Sequence, residues 1–534
     1  MFALATLTGI YSYLIFSLGV LGLLNKNIIG LLSVFFISGF IIYFFKTIRL
    51  TKINLASVLK EKFVFLLLAL LIVQVVINFI GVLGQELSFD ALWYHLTLPK
   101  LYIQNHAVVH VPGSLLYYSD MPKLIEMLYV PALLFGNEIF AKLIHFSFGL
   151  LSCSALYFLC RKLFDRKLSI IAVIIFYSNL VVGWQSITAY VDLARTFFEI
   201  IALWGFINFL EGENKKWLIV SAVMIGLATS VKILALGSLF IFLTLIIYFG
   251  ILNHHKPRKI VNQISIFLLF SLLIPFPWFI FSFLNTGNPF YPLFTNIYPV
   301  SFSLNLLNPF NFLTELWSLL IRSADPVSPL YLIFLPLIAV YFIKFSKTSK
   351  FIGLYSMLAV LVWYFTPRTG GGRFILPYLP AFSILVVQVI AIFEKKVEFR
   401  RLFLVLVVGI SLSSIIYREV ANAKFIPVIL GRESKNQFLS NHLNFSFGDF
   451  YDTDGYFKKN ITSKDTVLLY GFHNLYYVDF PFVDSSWVKK GNKFNYIATQ
   501  NSDLPKRFSN WDLVYYNSKT HVNLYSLGGI KWVY

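Results

Sequence analysis

Apolar residues in this chain fall into long runs separated by short polar stretches, and the runs are close to the roughly 20 residues a helix needs to cross a bilayer. They predict helices over residues 2–24, 28–45 and 63–84, with further runs as far as about residue 415. Counted together they amount to about thirteen spans. The first run has no basic n-region and no small-residue cleavage site, so it reads as a retained helix and not as a removed signal peptide. Past residue 418 the hydropathy falls and the pattern changes. A helical period at 434–443 is followed by short β-type runs at 466–470, 476–480, 496–499, 513–516 and 522–525. The expected organisation is an α-helical polytopic membrane protein in three parts. Residues 1–62 hold two additional N-terminal helices and a loop, 63–417 a transmembrane core with an external loop at 85–136, and 418–534 a small extracytoplasmic α/β domain.

Composition agrees with the pattern: 58% of the 534 residues are hydrophobic and only 13% charged. A net charge of +19 in a soluble chain would point to a polyanion, but here the Lys and Arg residues gather in short loops between apolar runs. The charge is therefore topological, and a nucleic-acid partner is not indicated. The clusters at 46–62, 161–167, 215–216, 256–259, 344–350 and 395–401 all return to the cytoplasm if the N-terminus is inside and the C-terminal domain outside a plasma (inner) membrane. An even number of spans satisfies the same clusters if the apolar stretch at 219–248 is divided differently. Cys153 and Cys160 lie in one apolar run and fit buried residues better than a zinc signature or a disulfide framework.

Acidic, basic and aromatic groups first crowd together between Ser88 and Tyr102. Ser88 is placed to cap a helix and Pro99 to end it, while Phe89, Leu92, Trp93 and Leu96 recur at helical spacing. A short amphipathic helix on the membrane surface is expected, with Asp90, Tyr94 and Thr97 sharing its polar face. Asp90 is the candidate catalytic carboxylate. Tyr94, His95 and Lys100 are candidate substrate-binding groups, although a lone histidine here is more often a satisfied helix-face residue than a catalyst. Lys142 and His145 add donors near the same surface.

Within the spans, polar groups need a partner or a cavity. Asp192, Arg195 and Glu199 fall on one helical face, and Arg195 with Glu199 fits a self-satisfied ion pair. Asp192, near the external end, sits at the depth of the Asp90 loop. Lys232 also reaches the outer side, where it is either a snorkelling lysine or an anion ligand. In Thr366-Pro-Arg-Thr-Gly-Gly-Gly-Arg373, Arg368 and Arg373 bracket three glycines. That is either an ordinary charged turn or a flexible backbone whose guanidinium groups clamp an anion.

The sequence carries no metal-ligand spacing, Walker loop or dinucleotide fingerprint, so no cofactor is assigned; a divalent ion joining Asp90 to a phosphate would leave no spacing signature. One exposed carboxylate, a second nearby and several cations suit group transfer from an anionic lipid carrier. A sugar linked through phosphate to a polyprenol has an anionic leaving group that needs cations, whereas the acceptor hydroxyl needs a base. In-line attack inverts the anomeric centre.

The segment 88–100, with Tyr190-Val-Asp-Leu, Gly226-Leu-Ala-Thr-Ser-Val-Lys, Thr286-Gly-Asn-Pro-Phe-Tyr-Pro and Arg373-Phe-Ile-Leu-Pro-Tyr, resembles bacterial C-type (GT-C) membrane glycosyltransferases, the superfamily of protein O-mannosyltransferases and aminoarabinose transferases. The resemblance covers roughly residues 63–415. It implies a GT-C-like core, a polyprenyl-phosphate sugar donor, a lipid, glycan or protein acceptor, and Asp90 as base. Ala91 stands where many relatives place a second acid, which passes that role to Asp192 or Glu126, and two helices precede the core. Two other readings use the same features. A polysaccharide polymerase or ligase would rest on Arg368 and Arg373, and a transporter or lipid flippase on Asp192, Arg195 and Glu199.

Overall fold

The computed structural model describes residues 1–50, 61–299, 304–322, 326–366 and 371–534. Among them, seven helices are long and apolar enough to cross a membrane, or eight if the bent pair Pro257–Leu273 and Phe276–Thr286, which meet at 59°, is one span. Shorter apolar helices at Lys26–Ile42, Glu126–Phe135, Leu330–Lys344 and Leu376–Ile392 complete the bundle. The protein is thus an integral membrane protein with a small sheet domain at its C-terminal end.

Burial separates the centre of the bundle from its rim. The helix Asp192–Gly212 has 83% of its apolar window buried and packs against Glu138–Cys160 and Lys215–Val231, whereas Lys62–Leu83 has only 28% buried. The outer helix presents Phe65, Ile72 and Val76 to lipid. With no water in the hydrocarbon, polar side chains must find each other. Gln74 Nε2 donates to Ser178 Oγ at 3.0 Å, and Ser178 and Ser411 share a hydrogen bond of 2.8 Å, joining two spans through the end of the helix Arg166–Tyr177. Deeper in, Arg195 Nε donates to Glu199 Oε1 at 2.7 Å, Ser238 Oγ to Glu199 Oε2 at 2.7 Å, and Arg195 Nη2 to Tyr378 Oη at 3.0 Å. Arg195 and Glu199 therefore form the self-satisfied pair that their spacing allows.

The segment after Ser88 departs from the expected simple helix. Residues Ala91–His95 form a π-turn, and an α-helix follows at Thr97–Gln104. Pro99 does not end it, because it sits in the first turn, where its missing N–H is not needed. The wider turn rotates Thr97 inward, so that its hydroxyl donates to Leu92 O at 2.7 Å and leaves the face shared by Asp90 and Tyr94. The segment is buried under other parts of the protein and does not lie on the membrane surface: Leu92, His95, Leu96 and Thr97 are all enclosed.

The last long helix, Val397–Asn422, carries the chain out to the C-terminal domain, where Ser434 and Gln437 form a capping box on the helix Lys435–His442. The strands are β1 (Val467–Tyr470), β2 (Phe482–Asp484), β3 (Lys493–Phe494), β4 (Tyr496–Gln500), β5 (Asp512–Asn517), β6 (Val522–Ser526) and β7 (Trp532–Val533). Five of them form a mixed sheet in the order β2-β1-β4-β6-β5, with β1 parallel to both neighbours; β3 and β7 form a separate pair. The strand expected at 476–480 is absent. Its apolar and aromatic side chains are buried in a loop where Tyr476 and Tyr477 pack against the membrane domain and Val478 against the sheet.

Candidate functional site

Asp90 is placed by a loop with little freedom. Beyond the end of Lys62–Leu83, Lys142 Nζ donates to the carbonyls of Gly81 (3.0 Å) and Gly84 (2.7 Å), and so caps the helix end. Glu86 then folds back: its Oε1 accepts from the Leu87 and Ser88 amides at 2.9 and 2.8 Å, and its Oε2 from Ala189 N at 2.6 Å. That ties the loop to the chain just before Tyr190. The Asp90 amide donates to Tyr190 Oη at 3.2 Å, and Tyr129 Oη donates to Tyr190 O. His145 holds the adjoining backbone: its Nε2 accepts from Leu193 N at 3.0 Å, so Nδ1 carries the proton donated to Thr188 O at 2.9 Å.

The Asp90 side chain opens on a cavity of about 220 Å³ lined by Trp93, Tyr94, His95, Tyr117, Tyr118, Lys123, Glu126, Lys232, Tyr298 and Arg373, among others. Arg373 Nη1 donates to Asp90 Oδ2 at 2.6 Å, and Tyr94 Oη lies 3.5 Å from the same oxygen. Both contacts fall on Oδ2, so Oδ1 accepts no hydrogen bond from a described residue. The guanidinium of Arg373 also sits 5.1 Å from the centres of the Tyr190 and Phe374 rings. Lys232 Nζ donates to Asp192 Oδ1 at 2.7 Å and lies over Phe374 at 5.2 Å. Lys123 Nζ lies 5.4 Å from the Tyr94 ring centre. Burial lowers the Lys123 ammonium from its usual range while Glu126 and Asp120 pull the other way. Burial lifts the Tyr94 hydroxyl well above the usual phenol range, and the charge of Asp90 adds to the effect. Tyr94 is therefore a fixed donor at any physiological pH.

Asp90, Tyr94, His95, Lys232 and Arg373 line this one cavity, with Asp192 behind Lys232. Arg368 lies outside the described residues. Lys100 does not line the cavity: it points away to the C-terminal domain, where its ammonium donates to Tyr476 O and Val478 O, both at 2.7 Å, and to Asp479 Oδ1 at 2.9 Å. An ammonium has three protons, and these acceptors use all of them. Lys100, expected as a substrate-binding donor, is instead a structural tether between the Asp90 segment and the C-terminal domain. One cavity residue, Lys123, carries a signal that went unused. On the orientation expected from the sequence Lys123, like Lys232, falls on the outer side, where lysine is disfavoured, and Glu126, already named as a possible second acid, follows it by three residues. Glu126 Oε1 accepts from His95 Nδ1 at 2.8 Å, and its Oε2, like Asp192 Oδ2, is buried without a hydrogen-bond partner among the described residues. Among the described residues no group of three or more His, Cys, Asp or Glu could hold a metal ion.

The half-buried Asp90 carboxylate thus shares one cavity with three cations, Lys123, Lys232 and Arg373, within the helical bundle. Residues 127–281 match the dolichyl-phosphate-mannose-protein mannosyltransferase family, a stretch that includes Asp192 and Lys232 but neither Asp90 nor Arg373. No curated protein matches the sequence. Among solved structures the chain is similar to ArnT from Cupriavidus metallidurans bound to undecaprenyl phosphate, with 13% identity, a TM-score of 0.54, and coverage of 86% of this chain and 97% of that one. For the same protein in the apo state the values are 11%, 0.55, 88% and 98%. At these identities the likeness concerns the fold. The resemblance seen in the sequence is upheld: the chain has the architecture of the C-type (GT-C) membrane glycosyltransferases.

Proposed function

We propose that this protein is an integral-membrane glycosyltransferase that moves a sugar from a polyprenyl-phosphate-linked donor to a lipid, glycan or protein acceptor on the external face, with inversion at the anomeric carbon. The observation that carries the reading is the convergence of Asp90, Lys123, Lys232 and Arg373, from four separate segments, on one cavity. As the acceptor oxygen attacks the anomeric carbon, its proton passes to Asp90 Oδ1. The bond from that carbon to the phosphate oxygen breaks, the electron pair stays with the phosphate, and polyprenyl phosphate leaves as an anion. Lys123, Lys232 and Arg373 offset the charge that develops there. The cations favour departure without a general acid, because the leaving group is already a stable anion. Arg373 is the cation hydrogen-bonded directly to the base.

A transporter built on Asp192, Arg195 and Glu199 draws less support. Arg195 and Glu199 are enclosed in a network of mutual hydrogen bonds, and Asp192 is paired with Lys232 at the cavity.

The test is sugar transfer from a radiolabelled polyprenyl-phosphate-sugar pool by the purified protein and by Asp90→Asn, with folding checked in parallel. Loss of the base is expected to lower kcat by about 10² to 10⁴ with the donor KM little changed. A folded Asp90→Asn with full activity would place the base elsewhere. A wild-type protein that consumes none of a broad donor panel would overturn the glycosyltransferase reading.

A further inference from the structure

Between β1 and β2 the C-terminal domain sends a loop, residues 471–479, down onto the segment that carries Asp90. The loop starts at Gly471, whose φ is +76° and where a Cβ would lie 2.1 Å from Gln500 O, so only glycine permits the turn. Inside the domain Asn474 Nδ2 donates to the buried Asp449 Oδ1 at 2.5 Å, which holds the loop to the sheet domain. Outward, the loop touches the Asp90 segment on both sides of the carboxylate. Before it, Tyr477 Oη donates to Glu86 O at 2.9 Å, and the His473 ring stacks on Phe89 with centres 4.7 Å apart. After it, Tyr476 N donates to Leu92 O at 3.3 Å, His473 meets the Trp93 ring at 4.7 Å, and Lys100 spends all three ammonium protons on the loop.

A docking contact that only attached the domain would have no reason to bracket one residue. The Asp90 segment contains a π-turn, an irregularity that is rare in helices and frequent at functional sites. The loop meets this turn at its Leu92 carbonyl, the same atom that Thr97 holds from the other side.

We propose that the 471–479 loop is a clamp that keeps Asp90 in register with the cavity, with Lys100 and Tyr477 as positioning residues that act through the Asp90 segment. The C-terminal domain is then part of the catalytic apparatus and not only a cap or an acceptor platform. The inference rests on Asp90 being the base. Arg373 and Lys123 touch Asp90 and Tyr94, but the backbones that carry the three cations lie outside the segment the clamp grips, so loosening the clamp is expected to act mainly on kcat and largely to spare donor binding.

The test uses the full-length protein in lipid nanodiscs, with Lys100→Met, Lys100→Arg and Tyr477→Phe. Two readouts are taken: transfer kinetics from a polyprenyl-phosphate sugar, and hydrogen exchange of the amides of residues 86–96. Lys100→Met is expected to lower kcat by about ten-fold or more with the donor KM within about two-fold. Its 86–96 amides should exchange about ten-fold faster, and Lys100→Arg should restore most of both. Tyr477→Phe removes a single hydroxyl and is expected to act in the same direction if Lys100→Met proves too unstable to purify. Wild-type kcat and exchange in folded variants overturn the proposal, as does an effect confined to donor KM. Asp90→Asn measured alongside separates the two readings. If it is inactive while the clamp variants behave as wild type, the clamp alone fails; if it is fully active, the base assignment fails and the clamp's catalytic role with it.

Discussion

Lys123, Lys232 and Arg373 face the same cavity but are not equivalent. Arg373 is engaged by Asp90, and Lys232 by Asp192. Lys123 makes neither contact; it lies over the Tyr94 ring, and burial weakens its hold on the proton. It is thus the cation with the most to gain from a phosphate oxygen. Lys123→Met is expected to raise donor KM by about ten-fold or more, equivalent to about 1.4 kcal/mol, with a smaller effect on kcat. An unchanged KM in a folded variant would remove Lys123 from the phosphate site. Arg373 was visible in the sequence because two arginines around three glycines are unusual in an external turn. That it touches Asp90 was not, since 283 positions separate them along the chain.

At the scale of elements, the helix Asp192–Gly212 carries Asp192 at the cavity and, one and two turns deeper, a buried pair with no route to the site. Removing one member of such a pair strands the other charge away from water, at a cost of about 3–5 kcal/mol. Arg195→Met is therefore expected to lower the thermal unfolding midpoint clearly while leaving transfer per folded molecule within about two-fold; an unchanged midpoint would contradict the account. In the C-terminal domain, burial pushes the Asp484 carboxyl at the end of β2 up to about 6. A raised carboxyl favours the protonated folded form, so its contribution is complete below the unfolded value of about 3.9 and is lost as pH rises through about 6, amounting to up to about 3 kcal/mol. Hydrogen exchange of the β1 and β2 amides in the full protein should accelerate from pH 4 to pH 6.5, after correction for intrinsic rates. Asp484→Asn should flatten that dependence, and a wild-type profile in the variant would sink the assignment.

For the whole molecule, the proposed orientation can be read by chemical access. Cys153 and Cys160 are both buried, so the native chain offers a low thiol background. With the N-terminus cytoplasmic, a cysteine at the exposed Lys458 should react with a membrane-impermeant maleimide in spheroplasts, and one at the exposed Lys256 only after permeabilisation. The opposite result would invert the topology and move the cavity to the cytoplasmic face.

The membrane class, the small C-terminal α/β domain and the candidacy of Asp90 were all legible in the sequence. Each depends on a local quantity: the length of an apolar run, the sign of nearby charge, or the periodicity of a short segment. What surrounds Asp90 depends on distant segments, and no local pattern encodes it. Helical spacing placed Thr97 beside Asp90 and Tyr94, but a π-turn added between them turned its hydroxyl toward Leu92 O. Lys100 read as a substrate-binding donor because its charge was known and its partners, more than 370 residues away, were not. Residues 476–480 read as a strand because buried aromatic side chains look alike whether a sheet or a neighbouring domain covers them. Periodicity records that a side chain is covered and on which face of its own element; which element does the covering is decided only when the chain has folded, and here that covering assembles the cavity around Asp90.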